Sequence, residues 1–468
     1  MGELRDSDRS AVREQIGREP TAPFTVVARC PGRHPLVIRN EPVDANGDPF
    51  PTLFWLTCPV AVKAVSRLES GGAIAEFNRR AESDEAFASA LAAAHEGYAR
   101  ERSRGFPQAL AWGGVGGTRT GVKCLHSHYA NRLAGGDDPV GAWVAERIEP
   151  VHAEEDPGRV AAIDLGTNSI RLLVASAGEG GALDEFARDM VITRIGQDTD
   201  RTGRIDPEAL ARTVVVLERY CRRARALHAE RIRVAATSAV REASNREDLE
   251  RTVRENAGSD LEVISGEEEA ALSFLGATPG LDSARGLDAP SPYLVLDIGG
   301  GSAEFAFGTL EPETLISTRL GSVRLTERFI RSDPPTPEEL GAVREETARI
   351  LAEVELASPA GGASTFVAVA GTATTVQAIS LGLDHYDPER IHRTWLSRAG
   401  AERVLADLAA KTNPERAALP VMAPGRADVI VTGTLVLVEV LRRFGFERVL
   451  VSETDILDGL ALEMLAVR

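Results

Sequence analysis

Residues 160–175, "VAAIDLGTNSIRLLVA", decide the fold. An apolar run that reads as a buried strand closes on Asp164, passes through Gly166, Thr167, Asn168 and Ser169, and resumes as a second apolar run. The pattern returns at 293–308 as "YLVLDIGGGSAEFAFG", where Asp297 closes the first run and Gly299, Gly300, Gly301 and Ser302 form the turn. Each copy is followed by a proline-started helix, "IDPEAL" (205–210) and "PTPEEL" (335–340), with Asp206 and Thr336 as N-caps. Each then reaches a short strand that runs into small polar residues, "IRVAATSAVRE" (232–242) and "TFVAVAGTATTV" (365–376). Asp164 to Thr237 is 73 positions and Asp297 to Gly371 is 74. Residues 159–468 therefore read as two copies of one α/β unit facing each other. Lobe I is 159–292 and lobe II 293–468, joined by "GLDSARGLDAPSP" (280–292).

Gly and small polar residues in a tight strand–turn–strand let successive backbone N–H groups point into one concavity, which is an anion site. Two such turns across a cleft grip a phosphate chain from both sides. The expected phosphate-binding residues are Gly166, Thr167, Asn168 and Ser169, then Gly299, Gly300, Gly301 and Ser302, with Gly371 and Thr372 of "AGTATT". Asp164 and Asp297 at the strand ends are repelled by phosphate unless a hard cation intervenes, and Mg²⁺ (or Mn²⁺) suits a few carboxylates plus phosphate oxygens. One turn alone also reads as an ordinary glycine-rich hairpin; both turns in register with "AGTATT" weigh against that.

In "VISGEEEAALSFLG" (263–276), Ser265 and Glu268 fit a capping box. Glu269 is turned about 100° round the helix from Glu268 and has no capping duty. It is the free carboxylate, suited to hold and deprotonate a water, although a solvated helix-start acid has the same local pattern. Arg241 closes "ATSAVRE", where an arginine clamps phosphate bidentately. The arginines of "CRRARALHAERIR" (221–233) read as a solvated helix face.

The chain has 468 residues, more than one core usually covers, so a modular protein is expected. With 43% hydrophobic and 26% charged residues it reads as globular, and no apolar run approaches the length of a membrane helix. A net charge of −17 argues against nucleic-acid partners. The opening "MGELRDSDRSAVREQIGREP" reads as a disordered tail (1–20) and not a secretory signal, so a cytoplasmic protein is expected. "EPVHAEEDPGR" (149–159) marks a linker, set at 151–158, after an accessory α/β domain at 21–150. Four cysteines, Cys221 among them, make no disulfide framework. Within the accessory domain, Cys124 and His128 share a face in a helix or a strand, whereas His126 joins them only in a strand. With Cys30 and Cys58 they suggest a structural Zn²⁺ site, against the other reading of buried free cysteines and a hydrogen-bonded histidine. "AWGGVGGTRTGVK" (111–123) reads as a flexible glycine loop or a further phosphate cradle.

Residues 159–468 resemble the exopolyphosphatase and guanosine pentaphosphate phosphohydrolase family, within the duplicated, ribonuclease H-like superfamily of actin, sugar kinases and Hsp70. "DLGTNS" and "DIGGGSAEF" resemble its two phosphate loops, "ATSAVREASN" its arginine-bearing segment, "ISGEEEA" its catalytic-glutamate segment and "AGTATT" its third glycine loop. "PGRADVIVTG" and "VSETDILDGL" also look like family segments. The resemblance implies Glu269 as catalytic glutamate, Arg241 as a phosphate ligand and Asp297 as the acid near the metal. It lacks the His-Asp helical extension of longer members after Arg468, so an extended polyphosphate channel is not expected. Residues 21–150 resemble an uncharacterised family, domain of unknown function 501, through "PFPTLFWLTCP" and "GVKCLHSHYANRLAGGDDPVG". The expected reaction is Mg²⁺-dependent hydrolysis of the terminal phosphoanhydride of inorganic polyphosphate, by a homodimer. Guanosine pentaphosphate is the rival substrate. A non-hydrolytic polyphosphate or nucleotide sensor and a sugar-type kinase are the other readings; retention of Glu269 and Arg241 speaks against the first, and the lack of a sugar-binding segment against the second.

Overall fold

The computed structural model describes residues 6–30, 34–44, 48–104, 106–148, 158–178, 182–282, 286–354 and 362–466. The expected linker at 151–158 lies outside them except for Gly158. Two compact units result, Met1–Pro157 with Arg222–His228, and Gly158–Cys221 with Ala229–Arg468. No helix among the described residues is long and apolar enough to cross a membrane.

The first unit holds an antiparallel sheet of β1 (Phe24–Arg29), β2 (Pro35–Asn40) and β3 (Phe54–Leu56), in that order. Leu53, Phe54 and Leu56 pack with Val65, Phe77, Phe87, Leu91, Leu125, Tyr129 and Val144 in its main core. The disordered tail expected at 1–20 is corrected: Asp6–Ile16 is a helix. Its Val12 is buried with Phe24, Val26 and Ile38, and buried Asp8 accepts from Arg29 at 2.7 and 2.8 Å. Val12, with Ile16 packed beside it, the Asp8–Arg29 ion pair and a hydrogen bond from Gln15 to Pro35 O tie down a segment whose composition is otherwise polar. The glycine loop at 111–123 is packed, and a Cβ on Gly114 would lie 2.5 Å from that of His95.

The second unit contains two sheets of the same plan. In the first, β4 (Val160–Leu165) lies between β5 (Ser169–Ala177) and β7 (Arg231–Ala236), with β6 (Leu183–Ile192) beyond β5 and β8 (Leu261–Val263) beyond β7. In the second, β9 (Tyr293–Ile298) lies between β10 (Ala303–Gly308) and β12 (Thr365–Val369). β11 (Pro312–Thr318) lies beyond β10, and β14 (Arg448–Val451) with antiparallel β13 (Thr394–Ser397) beyond β12. In both, the first strand pairs antiparallel with the second and parallel with the fourth. The internal repeat is thus a duplicated ribonuclease H-like fold.

The lobe boundary needs a correction. Helix Ile456–Ala466 does not stay with 293–455; its Ile456, Leu457, Leu460, Ala461 and Met464 cover Val160, Ala162 and Leu173 of the first sheet, with Leu272. Helix Gly266–Ala277 packs its Ala270, Phe274 and Ala277 on Tyr293, Val295 and Val367 of the second sheet. The two helices cross so closely that a Cβ on Gly276 would lie 1.9 Å from the Asp455 carbonyl, and one on Gly459 2.1 Å from that of Leu272. Only glycine permits that approach.

Candidate active site

The two glycine turns close locally in the same way, with Gly166 N–H donating to Ser169 O and Gly299 N–H to Ser302 O, both at 3.0 Å. They face each other at contact distance: a Cβ on Gly300 would lie 3.2 Å from Asn168 N, and one on Gly301 2.7 Å from Thr167 Oγ1. Together with Asp164, Asp297, Glu269, Gly371 and Thr372 they line a cleft of about 580 Å³. Helix Ala370–Ser380 starts in its wall, where Gly371 lets the Arg426 guanidinium lie against the backbone and donate to Gly371 O at 2.9 Å.

The sequence reading treats Asp164 and Asp297 as equivalents, and the register breaks that symmetry. Asp164 stands across from Arg171, and Asp297, at the same offset of seven residues, across from Glu304. Arg171 binds Asp164 Oδ2 at 2.7 and 2.9 Å and also binds Asp455. Asp297 makes no ion pair among the described residues; its Oδ2 accepts from Ser273 Oγ at 2.8 Å, and Glu304 Oε1 accepts from Ser317 Oγ at 2.8 Å. Acidic groups without a paired cation therefore gather on the second lobe.

Glu269 completes the group. Ser265 and Glu268 form the expected capping box, with Ser265 N–H donating to Glu268 Oε2 at 2.7 Å. One position on, Glu269 is buried, and its Oε2 lies 3.6 Å from Arg241 NH1. Arg241 donates through NH1 to Ile264 O at 2.6 Å, which holds its guanidinium against Glu269 at the cleft. Burial, then Glu304, Asp297 and Asp164, pushes the Glu269 carboxyl well above the carboxylate range, with Arg241 opposing. Burial and then Asp297 raise Glu304 to about 8, and burial raises Asp297 to about 6 against the pull of Arg171. Asp164 Oδ1, Glu269 Oε2 and Glu304 Oε2 are buried without a hydrogen-bond partner, as are Thr167 Oγ1 and Asn168 Oδ1. No three ligand atoms of Asp164, Glu269, Asp297 and Glu304 lie within 4.8 Å of one another, so these buried oxygens line the cleft without forming a closed cage, and oxygen-only donors of this kind suit a hard divalent cation that keeps some of its waters.

Sequence reasoning missed Arg171, Glu304, Arg426, Glu453 and Asp455. Glu304 was inside the second loop motif, and aligning the two repeats puts Arg171 and Glu304 at one position. Arg426, Glu453 and Asp455 belong to the two late segments to which no role was assigned; here they line the cleft, where Tyr386 OH donates to Glu453 Oε1 at 2.6 Å.

The expected zinc quartet does not assemble. Cys58 is the N-cap residue of helix Pro59–Ser70, and His128 Nδ1 sits 2.9 Å from Asp138 in a fully buried pair. Cys30 groups with His34 and His228, and Cys124 with His126 and Glu69. Cys124 is extended (φ −154°, ψ 117°) immediately before helix Leu125–Leu133, so its thiol meets the residue two positions on and not four.

A duplicated ribonuclease H-like fold whose facing glycine turns border a pocket of buried carboxylates is suited to a phosphoanhydride hydrolase, one of several classes the fold serves. Residues 173–467 match the Ppx/GppA phosphatase family, and the chain belongs to that family. Residues 26–146 match a family described as a protein of unknown function (DUF501). Exopolyphosphatase 2 of Mycobacterium tuberculosis is 43% identical over 318 residues, covering 65% of this chain and 98% of that protein. The Ppx/GppA family member of Aquifex aeolicus is similar in structure, with a TM-score of 0.56 and 29% identity over 66% of this chain and 98% of that one. An exopolyphosphatase from Cytophaga hutchinsonii has a TM-score of 0.60 and 26% identity over 66% and 98%.

Proposed function

We propose that the chain removes the terminal phosphoryl group of inorganic polyphosphate, with Glu269 as the base. The observation that carries this reading is the burial of Glu269 beside Arg241, a carboxylate with no capping duty lining the same cleft of about 580 Å³ as the two glycine turns. Exopolyphosphatase relatives favour this substrate over guanosine pentaphosphate.

The backbone N–H groups of the turns at 166–169 and 299–302, with the N-terminus of helix Ala370–Ser380 at Gly371 and Thr372, bind phosphate oxygens. Asp297, Glu304 and Asp164 Oδ1 would hold Mg²⁺ or Mn²⁺, which would supply positive charge against the phosphate oxygens. Arg241 biases Glu269 toward its ionised form, and Glu269 accepts a proton from a water in line with the terminal phosphorus. The P–O bond to the chain breaks, inorganic phosphate forms, and the shortened chain leaves as the anion. Catalysis here is positioning and electrostatics.

Phosphate release by the full chain from polyphosphates of several lengths, guanosine pentaphosphate and ATP tests the reading. Higher kcat/KM on polyphosphate is expected; a preference for guanosine pentaphosphate, or no release from either, overturns it.

A further inference from the structure

We propose that Glu69, Cys124 and His126 form a zinc site in the first unit, with three protein ligands and a fourth position open to water. Cys124 Sγ lies 3.6 Å from His126 Nδ1, and Glu69 Oε1 lies 3.2 Å from the same nitrogen. Tetrahedral zinc with bonds of about 2.3 Å to sulfur and about 2.0–2.1 Å to nitrogen and oxygen requires ligand-to-ligand edges of about 3.6 Å for S···N and about 3.3 Å for N···O. All three ligand atoms lie within 4.8 Å of one another.

The histidine is oriented for the task. His126 Nε2 lies 3.1 Å from Val62 O and 3.2 Å from Ser66 Oγ, and Ser66 Oγ spends its own proton on Val62 O at 2.9 Å. Both neighbours of Nε2 are thus acceptors, so Nε2 carries a proton and Nδ1 is the nitrogen facing the thiol and the carboxylate; an ion bound there displaces any proton Nδ1 holds. A ligating histidine is fixed by this kind of outer hydrogen bond. Glu69 is held as well, because its Oε1 accepts from Leu125 N–H at 2.6 Å. With a thiolate, a carboxylate and a neutral imidazole, a divalent ion leaves the site uncharged. Sulfur and imidazole ligands select zinc over magnesium or calcium. The side chains of His126 and Glu69 are 22% and 23% exposed, so ion and water can reach the site. An open fourth position is the arrangement that acidifies a bound water.

The experiment uses the full chain, grown with added Zn²⁺ and purified without chelator. About one zinc per chain is expected, lost in Cys124→Ser and in His126→Ala and kept in Cys30→Ser, which strikes the other Cys/His group. Replacement by Co²⁺ should give a thiolate-to-cobalt charge-transfer band in the wild type and in Cys30→Ser but not in Cys124→Ser. Should Cys124→Ser fail to fold, alkylation of the wild type decides: Zn²⁺ should shield Cys124 and a chelator should expose it. No zinc uptake, zinc content indifferent to Cys124→Ser, or equal alkylation of Cys124 with and without Zn²⁺ overturns the proposal. None of these readouts depends on phosphatase activity.

Discussion

Glu269→Gln keeps the shape of the side chain and deletes its charge, and its two effects should run in opposite directions. As a general base the carboxylate accounts for about 10²–10⁴ in rate, or about 2.7–5.5 kcal/mol, so kcat should fall by that factor with KM within about threefold. Stability should not fall. In chelator the wild-type carboxyl is held well above its ordinary range, by burial first and then by Glu304, Asp297 and Asp164. A folded-state pKa raised above the unfolded value, about 4.3, means that folding resists ionisation as pH rises. Below about pH 4 both states are protonated and the substitution changes little; above it the wild type loses stability that glutamine does not. The melting temperature of Glu269→Gln in chelator should therefore match the wild type near pH 4 and exceed it increasingly toward neutrality. Glu268→Gln is the control: glutamine still accepts from Ser265 N–H, at 2.7 Å in the wild type, and loses only the charge at the helix start, so it should cost about 1 kcal/mol or less of stability while leaving kcat within about twofold. Initial rates of phosphate release and thermal unfolding across pH measure both. The reasoning fails if Glu269→Gln keeps more than about a tenth of kcat, if the two variants lose activity equally, or if its stability advantage shrinks as pH rises.

Chelation should abolish phosphate release and millimolar Mg²⁺ or Mn²⁺ restore it, because Asp297, Glu304 and Asp164 Oδ1 otherwise face phosphate uncompensated; full activity in excess chelator refutes this. Arg171→Gln strips the counter-charge from Asp164 and Asp455, and with Arg171 17% exposed the cost should fall near the lower end of the range for broken buried pairs, about 3 kcal/mol. Adding Asp164→Asn should recover part of it, and denaturant titration of the single and double variants shows whether it does. Gly276→Ala places a methyl 1.9 Å from the Asp455 carbonyl, so it should destabilise by about 1–3 kcal/mol or more and lower activity by moving Asp455 off Arg171; normal kcat and stability would show that the crossing yields easily.

Much of this architecture was legible because it is written twice. Two acid-closed strands, two small-residue turns and two proline-started helices in one order left little room for another topology, and the capping box at Ser265 singled out Glu269 from its neighbour. What stayed hidden depends on partners far along the chain or across a sheet. Arg171 and Glu304 are ordinary strand residues until the antiparallel register sets them opposite Asp164 and Asp297. Arg241 reads as a phosphate ligand, but its second partner, Glu269, becomes visible only when the strand end and the helix start are brought together. In the first unit, the polar composition of residues 6–16 concealed a helix fixed by Val12 and Asp8, and counting along a regular helix or strand from Cys124 misjudged its partner because the backbone changes from extended to helical at that residue.

The close crossing at Gly276 and Gly459 has a consequence for biosynthesis. The sheet face formed by Val160, Ala162 and Leu173 is made well before the helix that covers it, Ile456–Ala466, which begins 283 positions after Leu173. Until then the first lobe carries an uncovered apolar face, and Arg171 lacks Asp455. The cleft thus becomes competent only when synthesis has passed the second lobe, and a nascent chain interrupted anywhere before Ile456 presents chaperones and proteases with a greasy, half-built lobe instead of a weak phosphatase.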